Sequence, residues 1–214
     1  MADEIKKCTI VSGAPNDNIE FLKNHINRNS FIIAADSGYE KLLKACITPD
    51  AIVADFDSSN KPDIDCEIIT FPIEKAFSDT FNSIRYAKEK GFNDITVFFA
   101  IGNRFDHSYS NVLCLDYCRN NKINCTIVDD KNRISLITDK KIFKKEYNFF
   151  SLFAFLEPCK GVKIKGAHYS EKFFNLESLD IGVSDQFAQS NHIEDDECEI
   201  SLEKGTLLLI ESND

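Results

Sequence analysis

The sequence predicts an α/β fold in two parts: an N-terminal domain built on a parallel sheet, followed by a C-terminal antiparallel β-sandwich. Up to about residue 134, short apolar runs alternate with segments of helical spacing, which is typical of a parallel sheet covered by helices on both faces. After that the helical period disappears, and strands of moderate length follow one another between turn signals. We therefore predict domains at residues 1–134 and 135–214.

The elements of the first domain follow from apolar spacing and from breakers. The third predicted helix has the clearest end, because residues 81–90 stop at Gly91, a good helix terminator. The run 95–101 is the richest in β-formers, with no breaker until Gly102. The predicted strands cover residues 8–12, 31–35, 51–54, 67–70, 95–101 and 125–128. The predicted helices cover residues 19–26, 39–46, 81–90 and 108–118.

The second domain is predicted to contain strands alone. Turn signals such as Glu157-Pro158 and Lys204-Gly205 separate several of them. The predicted strands cover residues 133–138, 141–145, 148–156, 162–165, 198–202 and 206–211.

Composition excludes several classes of protein. The chain of 214 residues carries a formal net charge of -10, which disfavours nucleic acid and anionic membrane as partners. Residues 1–7 are charged and predict no signal peptide, and no apolar run approaches the ~20 residues of a membrane span. The eight cysteines include no C-x-x-C pair and several lie in apolar runs, so we predict reduced thiols in a cytoplasmic protein.

Polar residues collect where the predicted parallel strands end, which is where open α/β sheets bind ligands. Asp55 and Asp57 follow the third strand and point to the same side if the backbone is still extended. Paired carboxylates suit Mg²⁺, which takes the rest of its shell from substrate phosphates. Further polar residues in three similar loops are Asp36, Ser37, Gly38, Lys75, Ser78, Asp79, Arg104, Asp106 and His107. Together they predict an enzyme that handles a metal-bound nucleotide.

Each group also has a plainer explanation. An isolated D-x-D pair is often a turn or a cap, and Ser78 with Asp79 suits the start of a helix. Arg104 and Asp106 suit a surface ion pair, and His107 suits a partly buried side chain. The convergence of four polar loops on one predicted edge favours the site.

The same residues resemble the thiamine pyrophosphokinase family. The motifs occur in order as D-S-G at 36–38, P-D-A-I-V-A-D-F-D-S at 49–58, K-A-F-S-D at 75–79 and G-N-R-F-D-H-x-x-x-N at 102–111. The resemblance implies transfer of the pyrophosphoryl group of MgATP to the hydroxyl of thiamine, which gives thiamine diphosphate and AMP. It also implies a homodimer with each active site between the α/β domain of one subunit and the β domain of the other.

The resemblance also implies roles. Asp55, Asp57 and Asp79 would hold Mg²⁺, while Lys75 and Arg104 offset phosphate charge. Either Asp57 or Asp79 could take the hydroxyl proton, and the sequence does not choose between them. The remaining residues on the nucleotide side are Asp36, Ser37, Gly38, Ser58, Ser78, Asp106, His107 and Asn111.

For thiamine, the resemblance points to the second domain. Tyr169 would stack on the pyrimidine, with Ser184 and Asp185 beside it. An aromatic side chain on a strand is ordinarily part of the core, which is the plainer explanation for Tyr169.

The match has departures, and two other functions compete with it. Ala76 replaces an acid of the family pattern, and Asp185 replaces an asparagine. A binding module that lost turnover with Ala76 is one alternative. The other is a haloacid dehalogenase-like phosphatase with Asp55 as nucleophile, which expects that loop after the first strand and leaves the 102–111 motif unexplained.

Overall fold

The structure, a computed structural model, describes residues 4–55, 64–70 and 77–214. Of the predicted site residues, Asp57, Ser58 and Lys75 lie outside these ranges, as does Ala76. The chain folds into two compact units, Met1–Asp130 and Lys131–Asp214. The predicted boundary after residue 134 lies inside the first strand of the second unit.

Within the described residues, the first unit contains six parallel strands and four helices. The strands lie in the order β6-β5-β1-β2-β3-β4. Their bounds are β1 Lys7–Val11, β2 Phe31–Ala35, β3 Ala51–Ala54, β4 Glu67–Thr70, β5 Asp94–Phe98 and β6 Asn124–Val128. The helices are α1 Ile19–His25, α2 Gly38–Lys44, α3 Asp79–Glu89 and α4 Phe105–Asn120.

The strands β1, β2 and β3 are buried along nearly their whole length, whereas β4 at the end of the order is not. Ile10 of β1, Ile33 of β2 and Ile52 of β3 have no exposed surface. Continuous apolar strands of this kind need cover on both faces, which is why they alternate with helices in the sequence. The predicted α/β class with a parallel sheet is confirmed.

The strand order places a switch point at β1. This strand pairs with β2 on one side and with β5 on the other. The chain therefore builds outward from β1 to β4 and then returns to add β5 and β6 on the opposite side. Open parallel sheets bind ligands beyond the carboxyl ends of the strands at such a point.

One predicted strand was too long, because the run 95–101 ends as a strand at Phe98. Phe99 has a φ of 53°, in the left-handed region, although its side chain is fully buried. Its N–H donates to Val128 O at 3.1 Å, so the residue turns the chain after β5 while its ring stays in the core. An apolar pattern does not distinguish a buried strand residue from a buried turn residue.

The second unit consists of two four-stranded antiparallel sheets among its described residues. The sheet orders are β12-β9-β14-β7 and β11-β10-β13-β8. Phe143 of one sheet meets Phe150 of the other edge-to-face at 5.4 Å, so the core lies between them as in a sandwich. The bounds are β7 Asn132–Ile137, β8 Lys140–Lys144, β9 Phe149–Ala154, β10 Cys159–Lys165, β11 Leu179–Ile181, β12 Ala188–Asn191, β13 Glu197–Ser201 and β14 Leu207–Ser212.

Two strands of the sandwich were missed from the sequence. β11 has three residues, and β12 reads A-Q-S-N, without the β-branched or aromatic side chains that indicate strands. Both lie at the end of their sheet order, where pairing on one side is enough to hold them. None of the helices in the described ranges combines the length and apolarity that a bilayer crossing requires.

Candidate functional site

A cleft of about 440 Å³ lies at the switch point of the first unit. The loops after β1, β2 and β5 line it, together with the first turns of α3 and α4. Among the predicted site residues, those that line it are Asp36, Ser78, Asp79, Arg104, His107 and Asn111. Four other predicted residues of the first unit are described but are not among the lining residues: Ser37, Gly38, Asp55 and Asp106.

Asp36 is positioned by a backbone turn directly after β2. Its φ of 51° is left-handed, a conformation that Asp tolerates better than most residues, and its N–H donates to Val53 O at 2.9 Å. Gly13 lies opposite: a Cβ there would be 2.4 Å from Ser37 Oγ and 3.2 Å from Asp36 Oδ2. A side chain at residue 13 would have to displace the Ser37 hydroxyl, so glycine helps the loop after β1 to approach Asp36 closely.

Gly38 has a packing role in this structure. A Cβ at this position would lie 1.9 Å from Val11 O, so the first turn of α2 rests directly on the end of β1. Gly38 was predicted from its motif to belong to the nucleotide side of the site. In this structure, the space that a side chain would occupy is filled by the neighbouring strand.

The start of α3 carries Ser78 and Asp79. Ser78 is the N-cap, and its Oγ accepts a hydrogen bond from Phe81 N at 3.2 Å. Asp79 is half-buried at the first helical position, where the helix dipole favours a carboxylate. Thr80 is buried, and its hydroxyl is 2.9 Å from that of Ser12 at the end of β1. This bond fixes the helix start beside the loop after β1.

Hydrogen bonds from side chains of α4 hold the loop after β5 in place. Asn111 is buried, and its Nδ2 donates to Ala100 O at 2.7 Å. The Ser108 hydroxyl accepts from Gly102 N at 3.0 Å, which closes the turn that leads to Arg104. A Cβ on Gly102 would lie 2.7 Å from Pro15 Cδ, so the loops after β1 and β5 meet tightly at this glycine.

Arg104 and Asp106 form the ion pair that the sequence suggested as the plainer explanation. Arg104 Nη2 is 2.6 Å from Asp106 Oδ2 and Nε is 3.2 Å from Oδ1, with both side chains largely exposed. The hydrogen bond from Arg104 lowers the pKa of the Asp106 carboxyl. Exposed pairs of this kind contribute little to stability, so the main effect is to orient the guanidinium.

The acidic residues of this edge come from separate elements. Asp55 directly follows β3 and is half-buried, Asp36 follows β2, and Asp79 begins α3. The atoms that these three side chains offer to a metal are all carboxylate oxygens, which hard cations such as Mg²⁺ prefer.

Three residues whose hydrogen bonds position the loops of the cleft were not predicted from the sequence. Lys41 is buried in α2, and its Nζ donates to Ala14 O at 2.7 Å, which ties α2 to the loop after β1. Burial lowers the pKa of this amine. A lysine on the apolar side of a predicted helix is a signal in the sequence by which Lys41 could have been found. Ser12 and Thr80 gave no such signal, because they meet only in the folded chain.

In the second unit, Tyr169 lies in an irregular segment after β10 and not on a strand. Its ring is half-buried and packs edge-to-face on Phe173 at 5.2 Å. Asn191, which is fully buried, accepts from Tyr169 N at 2.9 Å and donates to Tyr169 O at 2.8 Å. Asn191 thus fixes the backbone of this segment, and no motif in the sequence indicated it.

The other two predicted thiamine contacts lie in the turn before β12. Ser184 is exposed. The Asp185 carboxylate accepts a hydrogen bond from Gly182 N at 2.7 Å, so one of its oxygens closes the local turn.

Comparison with known proteins gives a consistent result. A family model described as "Thiamin pyrophosphokinase, catalytic domain" matches residues 22–127. The chain is 25% identical over 219 residues to a protein of Bacillus subtilis (strain 168) named thiamine pyrophosphokinase, with 98% of this chain and 100% of that protein covered.

Solved structures share the fold. A crystal structure of thiamine pyrophosphokinase from Bacillus subtilis has a TM-score of 0.87 at 24% identity and covers 98% of this chain and 100% of its own. One from Geobacillus thermodenitrificans has a TM-score of 0.83 at 24% identity, with 97% and 98% covered. Thiamin pyrophosphokinase from Candida albicans has a TM-score of 0.74 at 17% identity, with 97% and 89% covered.

Proposed function

The chain belongs to the thiamin pyrophosphokinase family, and from this premise we propose that it transfers the pyrophosphoryl group of ATP to the hydroxyl of thiamine. The products are thiamine diphosphate and AMP. The observation that supports this most is that Asp36, Asp79 and Arg104, from three separate motifs, line one cleft at the switch point of the sheet.

The phosphatase alternative is not favoured. Asp55 follows the third strand of the chain, whereas that mechanism expects its nucleophile loop after the first strand. The pyrophosphokinase proposal also uses the 102–111 motif, whose Arg104 and Asn111 line the cleft.

The residues of the cleft suit a reaction that depends on positioning and charge. Phosphoryl transfer spreads negative charge over the phosphate oxygens, and the protein must hold the nucleotide in line and offset that charge. Arg104 would donate to phosphate oxygens with the two nitrogens that now face Asp106. His107 and Asn111 would border the nucleotide. Lys75 would add a second cation on the basis of its motif.

We propose that Mg²⁺ binds Asp55, Asp57 and Asp79, with Asp36 close to the phosphates. The donor set fits, because the described members offer only carboxylate oxygens at one edge of the sheet. Bound there, the metal would offset the charge that four carboxylates and a triphosphate bring together. Asp57 or Asp79 would accept the hydroxyl proton of thiamine.

The activity is tested by chromatography of purified protein incubated with thiamine, ATP and Mg²⁺. We expect equal amounts of AMP and thiamine diphosphate, and loss of both with EDTA. Asp79→Asn should abolish turnover, whereas Asp139→Asn, at an exposed turn of the second unit, should not alter it. Formation of ADP or inorganic phosphate would refute the mechanism. If thiamine binds but no product forms, the non-catalytic binding module would be the better account of the protein.

We also propose a homodimer in which Tyr169 and Ser184 of one subunit serve the cleft of the other. If so, mixing inactive Asp79→Asn and Tyr169→Ala proteins should restore about a quarter of the wild-type activity, since each mixed dimer has one intact site. A mixture that stays inactive, although the two chains exchange, would show that each site lies within one subunit. Localisation in the cytoplasm stays a prediction.

A further inference from the structure

Two histidines and a glutamate converge in the second unit, outside the cleft. One nitrogen of His168, one of His192 and a carboxylate oxygen of Glu194 all lie within 4.8 Å of one another. His168 Nδ1 is 2.7 Å from Glu194 Oε1, and His192 Nε2 is 3.8 Å from the same oxygen. The two imidazole rings are stacked, with centroids 4.9 Å apart and planes at 17°.

The backbone holds all three residues in place. His168 N donates to His192 O at 3.1 Å, and Glu194 N donates to Gly166 O at 2.9 Å. The buried Asn191 accepts from both Tyr169 N and His192 N at 2.9 Å, so it links the two strands of chain that carry the histidines. Side chains that converge from a fixed backbone lose little freedom when they bind a common ligand.

A hydrogen bond between His168 and Glu194 explains only part of this arrangement. The second imidazole presents Nε2 to the same carboxylate oxygen at 3.8 Å, beyond hydrogen-bond distance. A metal with ligand distances of about 2.0–2.2 Å, such as Zn²⁺, would use all three donors once the stacked imidazoles rotate so that both nitrogens face it, because donors as far as 4.8 Å apart must move closer together. It would also compensate the run of acids at residues 194–197.

From this geometry we propose that His168, His192 and Glu194 form a transition-metal site, best suited to Zn²⁺. Imidazole nitrogen favours Zn²⁺, Cu²⁺ or Ni²⁺ over Mg²⁺, so the site selects a different metal from the carboxylates of the cleft. Three protein ligands leave a fourth position for water or another small ligand. The proposal does not depend on the catalytic function.

The His168 ring also contacts Tyr169, with centroids 4.8 Å apart. Metal binding would therefore restrain the segment that carries this aromatic side chain. Metal binding at this site would in this way affect the binding of any ligand that contacts Tyr169.

The test is a titration of the full chain with Zn²⁺ alone, in competition with a chromophoric chelator. The parent should carry Cys46→Ser, because Cys46 is an exposed thiol and cysteine sulfur is itself a ligand for zinc. We expect one equivalent to bind. His192→Ala and Glu194→Gln should each weaken binding by at least about 100-fold, because even residues that only support metal ligands are worth about 10–100-fold. His25→Ala, at an exposed position in α1, is the matched control and should bind as the parent does.

Glu194→Gln keeps the shape of the side chain, so it separates loss of a metal ligand from loss of structure. Thermal unfolding of His192→Ala and Glu194→Gln shows whether each variant is still folded. Co²⁺ in place of Zn²⁺ gives an independent readout, since nitrogen and oxygen ligands produce visible bands without thiolate charge transfer. No zinc binding, equal binding in parent and His192→Ala, or a thiolate band would each overturn the proposal.

Discussion

Replacement of Asn111 by alanine should both destabilise the first unit and weaken ATP binding. Asn111 is 8% exposed and donates to Ala100 O at 2.7 Å. Loss of the donor to a buried carbonyl costs about 1–3 kcal/mol. Alanine returns up to about 0.7 kcal/mol through its higher helix propensity. The difference between the two terms predicts that the free energy of unfolding falls by about 0.3–2.3 kcal/mol.

The expected effect on ATP binding arises because the hydrogen bond from Asn111 to Ala100 O holds the loop after β5 in place. Ala100 begins the loop that leads to Arg104, so a looser loop should raise KM for ATP by more than KM for thiamine. Urea denaturation and steady-state kinetics of the same preparations measure the two quantities.

Asn121→Ala is the matched control at the other end of the same helix. Its Nδ2 also donates to a backbone carbonyl, Tyr117 O, at 2.7 Å, but this carbonyl accepts from Asn121 N as well. We expect a loss below about 1 kcal/mol and no change in KM. If Asn111→Ala were no less stable than Asn121→Ala and bound ATP equally well, the proposed support of the loop would be wrong.

Two further predictions concern packing and thiol chemistry. Gly38→Ala should lower the free energy of unfolding by about 3 kcal/mol or more, since the added Cβ would meet a β1 carbonyl at 1.9 Å. Gly91→Ala is the control: its Cβ would have open space, but the φ of 85° should still cost about 1–2 kcal/mol. Equal losses in urea denaturation would contradict the clash. Iodoacetamide at pH 8 should modify the exposed Cys46 in the native protein, whereas burial raises the pKa of Cys114 and Cys198 to about 12 and should protect both until the chain unfolds. Peptide mass spectrometry would show early modification of Cys114 or Cys198 if this is wrong.

Most of the fold could be predicted because buried parallel strands are continuous apolar runs. The predicted strand 31–35 and the predicted strand 51–54 agree with β2 and β3 at both ends. The errors in the predicted strands arise where the hydrophobicity of a residue does not show whether its backbone is extended. Phe99 is as apolar as a strand residue but turns the chain, and β12 forms a strand from residues of low β propensity.

The site was predictable to the extent that its residues share strand ends. Asp36 and Arg104 come to one cleft because parallel strands all end at the same edge. Contacts between distant parts of the chain could not be predicted in this way. Ser12 and Thr80 are 68 positions apart, and neither belongs to a motif that indicates the hydrogen bond between them.

The pairing of Arg104 with Asp106 has a consequence for ligand exchange. A phosphate that binds this guanidinium takes the place of a carboxylate with similar geometry, so the number of charge-assisted hydrogen bonds changes little. In the proposed reaction, Arg104 would therefore exchange one anionic partner for another when the nucleotide binds and when the product leaves. Such an exchange adds little to the affinity for nucleotide, and it lets the product leave while the guanidinium regains the Asp106 carboxylate.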